Sequence, residues 1–119
     1  MNVAILGASI KEDRLSNMAQ ARLVDLGHQV FPVTPIYDEV LGVSCYTNLI
    51  DIKEKIDTIT VYLAPDKTRS LIQQFITLKP RRVILNPGTE STLLTKSLEE
   101  KGIQVLEACT LVMLSSSSF

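Results

Sequence analysis

Residues 2–9 read Asn-Val-Ala-Ile-Leu-Gly-Ala-Ser, a short apolar run that ends in a glycine turn. The uninterrupted run Asn2–Leu6 is typical of a strand buried on both faces of a parallel sheet. Apolar residues then recur at helical spacing from Leu15 to Leu26, and Gly27 follows as a stop signal. A strand, a glycine turn and a helix in this order predict the first unit of an α/β domain.

The rest of the chain continues this alternation. Further strands are predicted at Gln29–Val33, Val43–Tyr46, Thr58–Leu63, Arg82–Leu85 and Ile103–Leu106. Helices are predicted at Pro65–Leu78 and Thr92–Lys101, with short helical turns at Ile50–Lys55 and Ala108–Leu114. Short connections between such elements imply parallel strands with right-handed crossovers. The six strands fit a doubly wound, mostly parallel sheet of order 3-2-1-4-5-6 in a three-layer α/β/α arrangement.

Length and charge limit the possible classes of protein. With 119 residues, the chain is expected to form a single domain over residues 1–114, followed by a polar tail over residues 115–119. Lys and Arg total 12 against 13 Asp and Glu, so no basic excess exists to hold a nucleic acid. No apolar run reaches the roughly 20 residues that span a bilayer, and no charged leader precedes the first strand. We therefore expect a cytoplasmic protein without nucleic-acid or membrane partners.

Residues that commonly carry chemistry are few. Cys45 and Cys109 show neither zinc spacing nor a disulfide framework, and His28 is the only histidine, so no metal site is predicted. His28 precedes the second strand, away from the strand ends where ligands gather, and we interpret it as structural. Glu90 and Glu107 follow the fifth and sixth strands; either could act as a general base, but solvent exposure or capping is the favoured interpretation.

The loop after the first strand has the features of a phosphate-binding loop. Gly7 allows a tight turn and close approach of a ligand, since it lacks a Cβ atom. The following helix directs free N–H groups and its positive dipole end toward the crevice. Arg14 adds a forked cation suited to phosphate oxygens, and neutral donors come from Ser9, Ser16 and Asn17. The alternative is that Gly7 serves only the turn while Ser16 or Asn17 caps the helix.

The loop differs from the usual dinucleotide-binding motif. That motif has three spaced glycines and an acidic residue after the second strand, whereas this turn contains only Gly7 and the second strand ends in Val33-Thr34-Pro35. A carboxylate there would repel a ribose that carries its own phosphate, so the neutral ending is compatible with such a nucleotide. No Gly-Lys-Ser or Gly-Lys-Thr triplet occurs, which excludes a Walker-type loop.

Several segments together resemble one family. They are Gly7-Ala8-Ser9 with Arg14-Leu15-Ser16-Asn17, Gly27-His28, Val33-Thr34-Pro35 with Glu39-Val40-Leu41-Gly42, Asp57-Thr58-Ile59-Thr60-Val61, Asn86-Pro87-Gly88-Thr89-Glu90, Gly102-Ile103 and Glu107-Ala108-Cys109-Thr110. In this order and spacing they resemble the stand-alone CoA-binding domain proteins, small Rossmann-like relatives of the CoA-binding half of the succinyl-CoA synthetase α subunit. The resemblance covers almost the whole chain.

The resemblance implies a binding module for coenzyme A. The pyrophosphate side would be held by Gly7, Ala8, Ser9, Arg14, Ser16 and Asn17. Thr34 and Pro35 would flank the adenosine ribose, and the pantetheine path would run along Ala64, Pro65 and Asn86, with Pro87 in the neighbouring turn. The family often has a lysine after the second strand that meets a CoA phosphate; this chain has Ile36-Tyr37 there, and Lys11 or Lys67 would have to replace it.

Three functions follow as hypotheses. The leading one is a protein that binds CoA or acyl-CoA without catalysis of its own, either delivering the thioester to a partner enzyme or sensing the CoA pool. The second is a small NAD(P)-dependent oxidoreductase, and the third is an interaction protein with a degenerate crevice. Cys109 could form a mixed disulfide with the CoA thiol, although a small buried residue is the favoured interpretation, as it is for Cys45. The apolar segment Ala108–Leu114 would form a homodimer seam if it were not packed into the core.

Overall fold

A computed structural model describes all residues, 1–119. Seven strands are present: β1 Asn2–Leu6, β2 Gln29–Val33, β3 Glu39–Val40, β4 Val43–Ser44, β5 Thr58–Val61, β6 Arg82–Leu85 and β7 Gln104–Glu107. Five of them form one sheet of order β2-β1-β5-β6-β7, and every pairing in it is parallel. This is the predicted mostly parallel, Rossmann-like α/β fold. Its central strands β1 and β5 lie side by side, as the predicted order requires.

Helices cover both faces of the sheet. They are α1 Leu15–Asp25, α2 Pro65–Thr68, α3 Ile72–Leu78, α4 Thr92–Glu99 and α5 Thr110–Ser115, with 3-10 turns at Leu49–Asp51 and Arg69–Leu71. Alternate residues of β1 face opposite sides, so Val3 packs with Leu23 of α1 in one apolar cluster. Ala4 joins Phe75 of α3 and Leu94 of α4 in the other cluster. The two clusters confirm the three-layer arrangement.

The predicted third strand is the main correction to the fold. Residues 43–46 do not form a sixth strand of the main sheet; Val43–Ser44 pairs antiparallel with Glu39–Val40, and one isolated parallel bridge joins Val33 to Tyr46. The Tyr46 amide donates to the Pro32 carbonyl at 2.9 Å, so Tyr46 lies along the edge of β2 that does not pair with β1. The next bond of a parallel ladder would need a donor at the Pro32 nitrogen. Proline has none, so the edge strand ends after one bridge.

The C-terminal segment packs against the body of the protein. Leu114 of α5 is buried in the α1 cluster, and Val112 is the one large apolar residue of α5 that stays mostly exposed, at 63%. The last residues are not a free tail, because the Phe119 ring lies 5.3 Å from the His28 ring and 4.5 Å below the Arg82 guanidinium. The homodimer seam was expected only if this segment were not packed into the core. Because most of the segment is covered within the chain, that condition is not met. None of the helices combines the length and the apolar character needed to cross a bilayer.

Candidate functional site

A cavity of about 370 Å³ opens above the carboxyl ends of the central strands, and we call it the loop cavity. Most of its lining comes from the first loop and the start of α1, and the opposite wall comes from segments that follow β2, β5 and β6. The lining residues are Gly7, Ser9, Lys11, Asp13, Arg14, Leu15, Ser16, Tyr37, Tyr62, Pro87 and Thr89. The structure therefore brings four predicted loop residues, Gly7, Ser9, Arg14 and Ser16, to one cavity with Pro87.

The glycine turn is fixed by bonds to the neighbouring strand. The amides of Gly7 and Ala8 both donate to the Val33 carbonyl, at 3.0 and 3.3 Å. Gly7 has a φ of +94°, and an added Cβ would lie 3.0 Å from Leu63 Cδ2. These contacts explain why glycine stands here, because the turn needs both a positive φ and a close approach to the end of β5. They also occupy both N–H groups, so Gly7 and Ala8 shape the turn and their amides are not free for a ligand.

Helix α1 begins without a side-chain cap. Arg14 occupies the N-cap position, and no side chain accepts a hydrogen bond from the first turn. The backbone N–H groups of Leu15 and Ser16 have no acceptor within the protein, and both residues line the loop cavity. The Asn17 side chain instead donates to the Ser9 carbonyl at 2.9 Å, which ties the loop to the helix. Neither Ser16 nor Asn17 is a cap, so the open helix end is available to an anion.

The charges at this helix end are not neutralised by ion pairs. Lys11 and Arg14 are exposed and form no salt bridge; the one salt bridge of the protein joins Arg81 to Asp57 at 3.0 Å. Asp13 also lines the cavity and offsets one of the two cations. The remaining positive charge adds to the helix dipole. Such a combination binds phosphate oxygens through charge-assisted hydrogen bonds.

The wall after β6 is built on the buried side chain of Asn86. Its Nδ2 donates to Thr60 Oγ1 at 2.8 Å and to the Val61 carbonyl at 2.9 Å, and its Oδ1 accepts from the Thr110 amide at 2.8 Å. Because both N–H groups and the oxygen of the amide are engaged, Asn86 holds the ends of β5 and β6 and the start of α5 together. Asn86, predicted to line the pantetheine path, is buried and does not line the loop cavity, whereas the neighbouring Pro87 is exposed and does.

Two tyrosines in the loop cavity were not predicted from the sequence. Tyr62 directly follows β5, and Tyr37 follows the Thr-Pro ending of β2. Burial raises the pKa of Tyr62, and the nearby hydroxyls of Thr60 and Thr110 partly counteract that rise, so the phenol is neutral at physiological pH. The position of Tyr62 at the carboxyl end of a central strand was the signal available in the sequence.

A second cavity of about 200 Å³ lies on the other side of Gly7, and we call it the apolar cavity. It is lined by Leu6, Gly7, Val33, Pro35, Thr47, Asn48, Leu49, Leu63, Lys67, Leu71 and Gln74. The predicted residue Pro35 thus borders this cavity, while Thr34 is buried and its hydroxyl accepts from the Ile36 amide at 3.2 Å. Ala64 and Pro65 begin α2 and line neither cavity.

The remaining candidates have other surroundings. The Glu90 carboxylate accepts from the Gly88 amide at 2.9 Å, so it stabilises its own turn, and Glu107 is exposed at the end of β7. Cys109 is half-buried at the N-cap of α5, and burial raises the pKa of Cys45. No group of three or more His, Cys, Asp or Glu side chains is placed to hold a metal ion.

The loop cavity and the apolar cavity meet at Gly7, which lines both. Comparison with known proteins identifies the family. The family described as CoA binding domain matches residues 1–115. The chain belongs to the CoA-binding domain family. The resemblance drawn from the sequence motifs is thereby confirmed.

Relatives of this CoA-binding domain include small proteins and one segment of a large enzyme. The uncharacterised protein YneT of Bacillus subtilis is 28% identical over 104 residues, which are 87% of this chain and 77% of that protein. The ADP-forming acetate–CoA ligase of Methanocaldococcus jannaschii is 34% identical over 65 residues, 55% of this chain and only 9% of that enzyme. A crystal structure described as an uncharacterised protein is 41% identical with a TM-score of 0.94, covering 99% of this chain and 97% of that chain.

Proposed function

We propose that this CoA-binding domain holds CoA or acyl-CoA in the crevice above β1 and β5, with the pyrophosphate at the start of α1. The observation that carries the proposal is the uncapped first turn of α1, whose Leu15 and Ser16 amides open onto the loop cavity. Two free N–H groups, the helix dipole and an unpaired guanidinium together match a diphosphate, which offers several anionic oxygens.

The cations of the loop extend the binding surface. Arg14 stands at the N-cap, where its guanidinium can form paired bonds to one phosphate, and Lys11 lies along the same cavity. Neither must leave an intramolecular ion pair in order to bind. Ser9 and Ser16 supply neutral donors, and Gly7, Ala8 and Asn17 hold the turn in the shape that presents them. Of the predicted loop residues, Ser9, Arg14 and Ser16 would thus contact the ligand, whereas Gly7, Ala8 and Asn17 would support the turn.

The thiol end of the ligand would extend toward the wall formed by Tyr62, Pro87 and Thr89. Ala64 and Pro65, at the start of α2, remain candidates for the outer part of the pantetheine path. We infer that the protein carries the thioester for a partner enzyme and has no catalysis of its own. Glu90, the carboxylate in the turn after β6, is engaged with the Gly88 amide of its own turn, which supports that role.

Isothermal titration calorimetry with CoA, acetyl-CoA, NAD and NADP tests the proposal. We expect CoA and acetyl-CoA to bind with similar affinity, because the crevice contacts proposed here lie on the nucleotide and not on the acyl group. Arg14→Ala should weaken CoA binding about tenfold, the loss expected for an exposed charged hydrogen bond. Arg22→Ala is the matched control, since Arg22 lies in the last turn of the same helix.

The titration also separates the alternatives. Tighter binding of NAD or NADP than of CoA would reject the CoA assignment in favour of a small oxidoreductase, for which the family assignment gives no support. If none of the four ligands gives a heat of binding, the result would favour the third hypothesis, an interaction protein with a degenerate crevice. An equal loss of affinity in Arg14→Ala and Arg22→Ala would place the anion away from the start of α1.

A further inference from the structure

The two lateral edges of the main sheet differ in how they are protected. At β2, Pro32 removes a backbone donor and Tyr46 covers part of the edge. At β7, no strand pairs with the outer side, which we call the open edge. β7 has four residues, as many as β5 and β6, and contains no proline. An edge strand without these protections can pair with a strand of another chain.

The open edge presents backbone groups and some apolar surface. The amides of Gln104 and Ala108 donate toward β6, to carbonyl oxygens at 3.3 and 3.2 Å. Successive residues of a strand alternate in direction, so Val105 and Glu107 turn their N–H and C=O groups outward. The side chains of Val105 and Leu106 are half-buried. A strand added here would gain hydrogen bonds and would cover the rest of both apolar side chains.

Opposite charges lie at the two ends of the open edge. Lys101 precedes the amino end of β7 and Glu107 is its last residue; both are exposed, and neither forms a salt bridge. A second copy related by a two-fold axis brings its own β7 alongside in the antiparallel direction. Lys101 of each copy then lies near Glu107 of the other, whereas a parallel arrangement would bring like charges together. The open edge is therefore complementary to itself in both charge and hydrogen bonding.

A groove beside the open edge leaves room for a second chain. It has a volume of about 590 Å³ and lies between α4 and the end of β7. Its lining residues are all polar: Thr92, Thr95, Lys96, Glu99, Glu100 and Glu107. Permanent dimers have more apolar interfaces, so this lining fits a reversible contact that depends on hydrogen bonds and charge and that salt weakens.

We propose that the open edge pairs with the open edge of a second copy, so that two five-stranded sheets join into one antiparallel across the two-fold axis. Lys101 and Glu107 form two equivalent ion pairs in this dimer. Because the strands of the two copies run in opposite directions, the two loop cavities open on opposite sides, and each crevice stays free. The inference goes beyond the proposed function and does not depend on it. It also uses a surface other than the Ala108–Leu114 segment.

Sedimentation equilibrium from the micromolar to the millimolar range measures the dissociation constant of the dimer. We expect Lys101→Glu and Glu107→Lys each to raise this constant about tenfold, because each change replaces two attractive pairs with two repulsive pairs. The double variant Lys101→Glu/Glu107→Lys restores both pairs, so its constant should return to the wild-type value. Asp25→Lys is the matched control: it makes the same change of charge at the end of α1, which packs against β1 and β2, and should have no effect.

A backbone variant tests the strand pairing itself. Val105→Pro removes an outward N–H group and leaves the bonds to β6 in place, so the protein should become monomeric with an unchanged far-UV circular dichroism spectrum. Val105→Ala keeps the N–H group and controls for the lost side chain, and it should still form the dimer.

A wild-type protein that stays monomeric over the whole concentration range would overturn the inference and leave the open edge to a strand of another protein. A dimer that persists in Val105→Pro, or one whose single charge variants are not rescued by the double variant, would lie on another surface and would overturn it as well. The CoA titration is independent: a protein that dimerises as described but does not bind CoA would reject the proposed function alone.

Discussion

The close contact between the ends of β1 and β5 can be tested with Gly7→Ala. A Cβ atom at this position would lie 3.0 Å from Leu63 Cδ2 and 3.2 Å from the carbonyl carbon of Tyr62. The Leu63 side chain can shift, but the Tyr62 carbon is backbone and moves only if the end of β5 moves with it. Gly7 also has a φ of +94°, a conformation that costs an L-residue about 1–2 kcal/mol.

The expected loss of stability follows from these two effects. Overpacking of this kind costs about 1–3 kcal/mol, so with the backbone strain Gly7→Ala should lower the free energy of unfolding by about 2–5 kcal/mol. Gly88 is the matched control, because its φ is +92° and nothing lies within 4 Å of an added Cβ. Gly88→Ala should therefore show the backbone strain alone, about 1–2 kcal/mol.

Urea unfolding followed by far-UV circular dichroism measures both variants against the wild type. We expect unchanged m-values and a midpoint that falls further for Gly7→Ala than for Gly88→Ala. The difference between the two variants reports the contact with β5. Equal losses in the two variants would mean that the first turn has room for a side chain and that Gly7 is not in close contact with β5.

Three further predictions concern the surroundings of the site and the opposite edge of the sheet. Asn86→Ala removes three buried hydrogen bonds and should cost about 3–5 kcal/mol in urea unfolding; a loss below about 1 kcal/mol would contradict its role. Arg81 lowers the pKa of Asp57, so the ionised carboxylate stabilises the fold above its unfolded pKa of about 3.9 and this contribution is lost as the pH falls through the lower folded value. Arg81→Gln should therefore reduce the drop in Tm between about pH 5 and pH 2, and an unchanged drop would exclude the ion pair as its source. Burial lowers the pKa of His28, so an NMR titration of its ring should give a midpoint below 6.5 that rises in Phe119→Ala; a midpoint above 6.5 in the wild type would mean that the ring is not covered as described.

The main sheet was predictable because its signals are local. Each central strand contains four consecutive buried residues, and the turn after β1 requires glycine. The predicted third strand, Val43–Tyr46, is absent from the main sheet for a reason that lies outside that segment. Its sequence, Val43–Tyr46, suits a strand, but Pro32 on the neighbouring strand lacks the donor that a longer ladder needs.

The sequence predicted which residues surround the candidate site better than it predicted what each of them does. The first loop pointed to the crevice where the structure has the loop cavity, but the sequence could not show that the Val33 carbonyl occupies the amides of Gly7 and Ala8. Asn86 stood in a recognisable turn, yet its role depends on partners that lie 24 to 26 residues away along the chain. Tyr62 carried no motif, and only the exact end of β5 places it in the loop cavity.

The position of the diphosphate is tested most directly by a CoA titration of the ¹⁵N-labelled protein, followed through its backbone amide resonances. We predict the largest changes at Leu15 and Ser16, whose N–H groups gain an anionic acceptor, and little change at Gly7 and Ala8, whose N–H groups already donate to the Val33 carbonyl. Saturable shifts that spare Leu15 and Ser16 and gather around Lys55 and Lys101, at the opposite edge of the sheet, would contradict it.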